Sequence, residues 1–266
     1  MLLQYLLENL TNVEISGQTN REINKIEYNS NKIKNGDVFV AITGYKDNGI
    51  KYIDDAISKG AVAIVHEGDI EHKEDITYIK VENARIALAI MASTYYGDPA
   101  RKLKMIGITG TKGKTTTAYM IRDIMLASGK KIGMIGTVCN TYGKVTEESI
   151  RTSPESLDLQ ALLARMVDAG MEYVVMEVSS HALELERVYG IKFLVGVFTN
   201  LSEDHLDFHK TMDKYLEAKA KLFKQSDFAI INGDDIYAPR LLKMIDIKKA
   251  TYGLDNAVDL TATDIR

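Results

Sequence analysis

The run Gly110-Thr111-Lys112-Gly113-Lys114-Thr115-Thr116 puts glycines, lysines and hydroxyls at a spacing suited to holding phosphate. The apolar stretch 105–108 reads as a strand entering it, and 115–127 has helical spacing. In such a strand–loop–helix unit, backbone N–H groups and the helix N-terminus face an anion, and the Lys114 side chain adds a charge. ATP or GTP is the expected guest. Thr115 would hold a Mg²⁺ that bridges the phosphates, and Lys114 would stabilise charge as the terminal phosphoryl group leaves. The spacing departs from G-x-x-x-x-G-K-[ST], because Ile108 stands where the first glycine would be. A glycine-rich turn with a chance lysine is the plain alternative, and the flanking strand and helix weigh against it. The motif implies a nucleotide and leaves the reaction open.

Three further apolar stretches end in polar clusters. Residues 173–176 run into Glu177-Val178-Ser179-Ser180-His181, 193–198 into Thr199-Asn200-Leu201-Ser202-Glu203-Asp204-His205-Leu206-Asp207, and 228–231 into Asn232-Gly233-Asp234-Asp235. Each alone reads as a solvated loop. Together they match a parallel sheet whose ligand sits beyond the carboxyl ends of its strands. Glu177, at a strand tip, is well placed as an oxygen ligand for Mg²⁺. His205, between Asp204 and Asp207, reads either as a metal ligand or as a helix-entry residue. In Tyr215-Leu216-Glu217-Ala218-Lys219-Ala220-Lys221 the pattern alone gives an exposed helix with scattered lysines.

The elements that must position these residues divide near residue 99, where Gly97-Asp98-Pro99 stops a helix over 84–96. Before it, an amphipathic helix at the start, strands at 13–15, 23–28, 38–41 and 61–65 and a helix at 52–58 predict a small α/β domain, 1–99. After it, strands at 105–108, 131–135, 173–178, 193–198 and 228–232 alternate with helices at 115–127, 156–169 and 212–223. That alternation predicts a mostly parallel sheet flanked by helices over 100–266.

Composition narrows the function classes. A formal net charge of −4 argues against a nucleic-acid binder working through a basic face. Cys139 is the only cysteine, which excludes an internal disulfide and suits a reducing compartment. The first ten residues lack the basic start and small-residue cleavage site of a secretion signal, and no apolar run approaches the ~20 residues of a membrane span. A soluble, cytoplasmic protein, with no nucleic-acid or membrane partner and expected as a monomer, follows.

The motifs resemble the Mur ligases, the ATP-dependent amide-forming enzymes of peptidoglycan synthesis. The resemblance is carried by residues 110–116, by Met176-Glu177-Val178-Ser179-Ser180-His181-Ala182-Leu183, by residues 199–207 and by Glu217-Ala218-Lys219. Thr152-Ser153-Pro154-Glu155 together with the Glu-Val-Ser-Ser-His segment is similar to the member that extends UDP-N-acetylmuramoyl-L-alanyl-D-glutamate by a third residue, a diamino acid. Asn35-Gly36-Asp37-Val38-Phe39-Val40-Ala41 and Gly60-Ala61-Val62-Ala63 are similar to that member's uridine-binding domain. The resemblance implies ATP bound by residues 110–116 and Asn232, with Lys114, Glu177, His205 and Lys219 catalytic. It implies Mg²⁺ at Thr115 and Glu177, and a second Mg²⁺ near His205 and a carbamylated Lys219. Ser30, Thr152, Ser153, Ser179 and Arg187 would contact the sugar-nucleotide peptide. The chemistry implied is an acyl phosphate made from the peptide's γ-carboxylate and ATP, then displaced by the amine of meso-diaminopimelate or L-lysine.

Two departures stand out. The family's Asp-Ser-Arg is Asn29-Ser30-Asn31 here, so both charges are missing from that subsite. Nothing before Arg266 resembles the family's C-terminal amino-acid recognition segment, so a chain truncated within the central domain, with little turnover of its own, is expected. Folylpolyglutamate synthase shares the loop and the acyl-phosphate chemistry but lacks a uridine domain; a non-catalytic nucleotide-binding fragment is the competitor from another class.

Overall fold

A computed structural model describes residues 1–44, 48–255 and 257–265. Contacts divide the chain into two compact units, one of residues 1–98 with 156–161 and one of 99–155 with 162–266.

The first unit runs α1 (Leu3–Leu7), β1 (Glu14–Ser16), β2 (Ile26–Glu27), β3 (Asp37–Val40), α2 (Ile53–Ser58), β4 (Ala61–His66), β5 (Thr77–Lys80) and α3 (Ala84–Tyr95). Its sheet has the order β1-β5-β4-β3-β2, parallel except for β1 against β5. The expected strand over 23–28 shrinks to Ile26–Glu27, and β5 is a strand that the apolar pattern leaves out. One core packs Val38, Val40, Ala63, Val65 and Ile79 with Leu3, Leu6, Leu88 and Met91; a second places Phe39, Ile64 and Tyr78 with Ile53 and Ala56. Because successive strand residues point to opposite faces, the alternation of these two sets along β3 and β4 is what lets one sheet carry both cores. Asn83 begins α3 by accepting from the backbone N–H groups of Arg85 and Ile86, satisfying two of the amides left open at a helix start.

The second unit runs β6 (Lys104–Thr109), α4 (Lys114–Ala127), β7 (Ile132–Ile135), β8 (Cys139–Tyr142), β9 (Val145–Glu148), α5 (Ser156–Asp168, whose start groups with the first unit), β10 (Tyr173–Glu177), α6 (Ser180–Glu184), β11 (Phe193–Phe198), α7 (Leu206–His209), α8 (Met212–Lys224), β12 (Ser226–Asn232), α9 (Ala238–Met244), β13 (Lys248–Gly253) and β14 (Leu260–Thr261). The sheet order is β14-β13-β12-β11-β6-β10-β7-β8-β9. From β14 to β7 every pair is parallel, as the alternating pattern predicts, and the β8–β9 hairpin extends the edge in the antiparallel sense. The chain leaves β6 towards β7, β8 and β9, then turns back to β10 and goes on to β11 on the other side, so the connections after β6 and β10 run in opposite directions; such a switch point is where a crevice forms beyond the strand ends.

Two glycines decide how near α8 comes to this sheet. Gly107 and Gly196 are direct neighbours on β6 and β11. A Cβ at Gly107 would lie 2.8 Å from Leu222 and 2.9 Å from Phe193, and one at Gly196 would lie 3.1 Å from Phe223. The trough they leave admits Leu222 and Phe223, both fully buried and each contributing roughly 1.5–3 kcal/mol by leaving water. Thr211 caps α8 by accepting from the Lys214 N–H, Asp213 lies in its first turn and Lys221 and Lys224 in its last, all in accord with the helix dipole.

Candidate active site

The loop between β6 and α4 is shaped by two glycines with positive φ. Gly110 (φ 151°) lies so close to Thr199 that a Cβ would come 1.9 Å from its Oγ1, and Gly113 (φ 83°) is the N-cap of α4. No side chain caps α4, which leaves its first-turn amides available to an anion. The loop is tied to the residues after β11: Thr111 N donates to Asn200 O (2.9 Å), Lys112 N to Asn200 Oδ1 (2.9 Å), and Thr199 Oγ1 and Asn200 Nδ2 both donate to Lys112 O (2.7 and 3.0 Å). Lys114 Nζ folds back onto the carbonyls of Gly110 (3.0 Å) and Thr111 (2.9 Å). Burial holds its pKa below the usual lysine value, against the pull of Glu177 and Asp204.

Glu177, at the end of β10, is buried. Its Oε2 accepts from Thr115 Oγ1 (2.9 Å) and Thr137 Oγ1 (3.1 Å), and its Oε1 from Thr137 N (2.8 Å). Gly136 makes this approach feasible, since a Cβ there would lie 2.5 Å from Oε1. Thr137 Oγ1 also lies 3.1 Å from Thr152 Oγ1, whose hydroxyl can donate to it, linking the carboxylate to the 151–155 segment. Thr137 escaped the motif reading; its signal was a Gly-Thr pair at the end of an apolar stretch. A hydroxyl and a carboxylate sharing one hydrogen bond form a hard-oxygen pair of the kind Mg²⁺ accepts alongside water and phosphate oxygens. The residues present therefore fit the ion. Among the described residues no three His, Cys, Asp or Glu side chains form a metal cage of their own.

A cleft of about 380 Å³ is lined by Thr111 to Thr116, Thr137, Thr152, Glu177, Ser179 and His205. It gathers most of the predicted set: the phosphate loop, the carboxylate, two of the hydroxyls and the histidine. Four predicted residues stand behind its wall. Ser153 is buried, donating to Glu177 O (3.0 Å) and accepting from Ser179 N (3.1 Å). Arg187 Nη1 donates to Ser153 O (3.3 Å) and Nε lies 2.8 Å from Glu155 Oε1. Asn232 gives its amide to Thr199 O (2.8 Å) and accepts from Asp234 N (3.1 Å), so it braces the loop after β11. Lys219 is the fourth. Ser30 belongs to the first unit, buried in a short 3-10 turn (Ser30–Lys32) where its hydroxyl meets the Asp55 carboxylate, and Asn29 caps that turn by accepting from Asn31 N.

Lys219 departs most from its sequence pattern. The pattern of 215–221 gives an exposed lysine; in the structure the residue is only 1% exposed. Its Nζ donates to Gly110 O (2.8 Å), the same carbonyl that holds Lys114, and lies 4.3 Å from the centroid of the Tyr215 ring. Burial and then the neighbouring Lys114 charge push its pKa well below the usual value, favouring the free amine. His209 stacks on Tyr215 (centroids 4.8 Å apart) and shares a 2.8 Å hydrogen bond between Nε2 and Ser180 Oγ. Burial, aided by His181 and Lys219, takes its pKa down to about 4. His205, with φ 52°, begins α7 and meets His181 edge-on at 4.9 Å.

The pattern of the Mur ligase middle domain matches residues 108–266, and that described as Mur ligase family, catalytic domain, matches 22–96. The UDP-N-acetylmuramoyl-L-alanyl-D-glutamate--2,6-diaminopimelate ligase of Clostridium perfringens (strain 13 / Type A) is 48% identical over 271 residues, covering 100% of this chain and 56% of that protein. The protein of the same name from Clostridium tetani (strain Massachusetts / E88) is 48% identical over 269 residues, with the same coverage. A solved structure titled as this ligase superposes with a TM-score of 0.79 at 26% identity, over 97% of this chain and 53% of that one. The chain thus spans about half the length of the relatives it matches.

Proposed function

The chain belongs to the Mur ligase family, and from that premise we propose that it carries the ATP and peptide sites of a ligase that joins a diamino acid to UDP-N-acetylmuramoyl-L-alanyl-D-glutamate. Residues 1–99 would serve the uridine nucleotide and 100–266 the ATP, in a cytoplasmic monomer. The observation that carries this reading is the meeting of Lys114, Thr115, Glu177 and His205 around one cleft, with Lys219 on the back of the same loop.

The reaction brings two anions together, so it depends on neutralising charge and fixing alignment. The uncapped first turn of α4 and Lys114 would bind the phosphates, with Lys114 leaving its two carbonyl partners to do so. Thr115 and Glu177 would hold Mg²⁺, whose positive charge would offset the negative charge of the phosphates. The peptide's γ-carboxylate then attacks the terminal phosphorus and ADP leaves; the diamino acid's amine displaces phosphate from the acyl carbon. Thr152 and Ser179, on the cleft wall, are placed to orient the peptide. The low pKa of Lys219 favours the amine form that reacts with CO₂, and its carbamate would join His205 at a second Mg²⁺. The relatives' names favour 2,6-diaminopimelate over L-lysine as acceptor.

Calorimetry tests the assignment. The 266-residue chain should bind a non-hydrolysable ATP analogue with Mg²⁺, and UDP-N-acetylmuramoyl-L-alanyl-D-glutamate, but not a reduced folate. Binding of folate in place of the muramoyl dipeptide would overturn it.

A further inference from the structure

One residue grips Glu177 at both oxygens. Thr137 gives its backbone N–H to Oε1 (2.8 Å) and its hydroxyl to Oε2 (3.1 Å). Strand register accounts for the meeting. Met176 of β10 lies beside Ile135 of β7, so Glu177 and Thr137 both follow directly on paired strand ends, and the bare Gly136 leaves Oε1 room to approach. The last torsion of a glutamate side chain is broad and soft when the group is free. Hydrogen bonds on separate oxygens remove that freedom.

Thr137 is itself held from the far side, where Thr152 Oγ1 lies 3.1 Å from its hydroxyl oxygen. A hydroxyl has a single proton to give. That of Thr137 is committed to Oε2, so Thr152 is the donor in this contact.

The fixed carboxylate sets one distance: Oε2 stands 2.9 Å from Thr115 Oγ1. Adjacent oxygens on an octahedral Mg²⁺, each ~2.0–2.1 Å from the ion, stand ~2.9 Å apart. The pair as it stands in the protein therefore has the span of one octahedral edge. Mg²⁺ demands near-ideal geometry, so ligands held at that span favour it. Ca²⁺, with bonds of ~2.3–2.6 Å and a flexible oxygen shell, adapts to a loose carboxylate as readily as to a fixed one.

We propose that Thr137 is a positioning residue which fixes the carboxylate plane of Glu177 and so makes the Thr115–Glu177 pair selective for Mg²⁺ over Ca²⁺. The inference rests on the reading of that pair as the metal-holding part of the nucleotide site. Thr137 is exposed and lines the cleft, so its side chain can be changed without opening the core.

The test is calorimetry of a non-hydrolysable ATP analogue on the 266-residue chain with saturating Mg²⁺, with saturating Ca²⁺, and with a chelator in place of either metal. The parent should bind more tightly with Mg²⁺ than with Ca²⁺. Thr137→Val, which replaces the hydroxyl by a methyl group and keeps the backbone N–H, should weaken binding with Mg²⁺ about tenfold. Its binding with Ca²⁺, or without metal, should stay within about twofold of the parent, because neither depends on a fixed carboxylate. Thr137→Ser restores the hydroxyl and should restore the preference. A valine variant that prefers Mg²⁺ as the parent does, or that weakens all three measurements alike, overturns the proposal. So does a serine variant that behaves like valine, since packing of the methyl group would then be the cause. A parent that binds the analogue equally with and without metal overturns the metal reading of Thr115 and Glu177, and this proposal with it; a parent that selects Mg²⁺ beside a valine variant that does so equally removes the role of Thr137 alone.

Discussion

Around residues 110–116 and Glu177 the polar groups are matched to one another by direct hydrogen bonds, whereas around Tyr215 the titratable groups are pressed against rings and kept from their charged forms. Glu177 accepts three hydrogen bonds from Thr115 and Thr137. Lys219 and His209 share the second region with Tyr215, and burial is the leading cause of the depressed pKa of both. The first region satisfies its polar groups directly; in the second, burial weighs against the charged forms of an amine and an imidazole.

Four experiments break or sharpen this contrast. Replacing Lys114 with Ala should have the largest effect, weakening Mg²⁺–ATP analogue binding about 100-fold in calorimetry, because a charge-assisted phosphate contact disappears from a site lined with fixed donors. Gly110→Ala attacks the loop's backbone instead. With its Cβ position 1.9 Å from Thr199 Oγ1 and φ at 151°, it should cost about 3 kcal/mol in denaturant unfolding; an unchanged midpoint would show that the loop adapts freely.

Acid probes the second region. His209 has a folded pKa of about 4 against an ordinary 6.5, so the unfolded chain takes up a proton that the folded chain refuses. No stability is lost through this group above pH 6.5; the loss grows as pH drops towards 4 and reaches about 3 kcal/mol, and in denaturant unfolding at several pH values His209→Gln should make that loss smaller. The smallest effect is the most discriminating. Lys219→Met should raise stability by about 1 kcal/mol, since Gly110 O keeps Lys114 as a donor and a buried amine is replaced by an apolar chain. The same variant should lose any carbamate seen by intact-protein mass spectrometry. A clear destabilisation would mean that the amine serves the fold itself.

How much of this could be read from the chain follows from how local each signal is. The phosphate loop, its strand and its helix lie within one stretch of sequence, and the strand-end clusters at Glu177, Thr199 and Asn232 follow from apolar runs that stop abruptly; all appear where the pattern puts them. The β8–β9 hairpin went unread because Val145–Glu148 is polar and edge-exposed, although Tyr142-Gly143-Lys144 offered a turn. Burial of Lys219 could not be read from its helix, because the partner that buries it is a carbonyl 109 residues away. At Asn232, where the resemblance implies a nucleotide contact, the amide group is bonded to Thr199 and Asp234, a bracing role that no local pattern announces.

The paired glycines on β6 and β11 have a wider bearing. With no side chains at Gly107 and Gly196, α8 rides low on the sheet, and Lys219 is carried down with it to Gly110. The depth of that trough sets how far the amine lies from water: a Cβ at Gly107 would come 2.8 Å from Leu222, so a single methyl there presses the helix outwards. Two facing positions stripped of side chains thereby decide how deep a lysine on the overlying helix is buried.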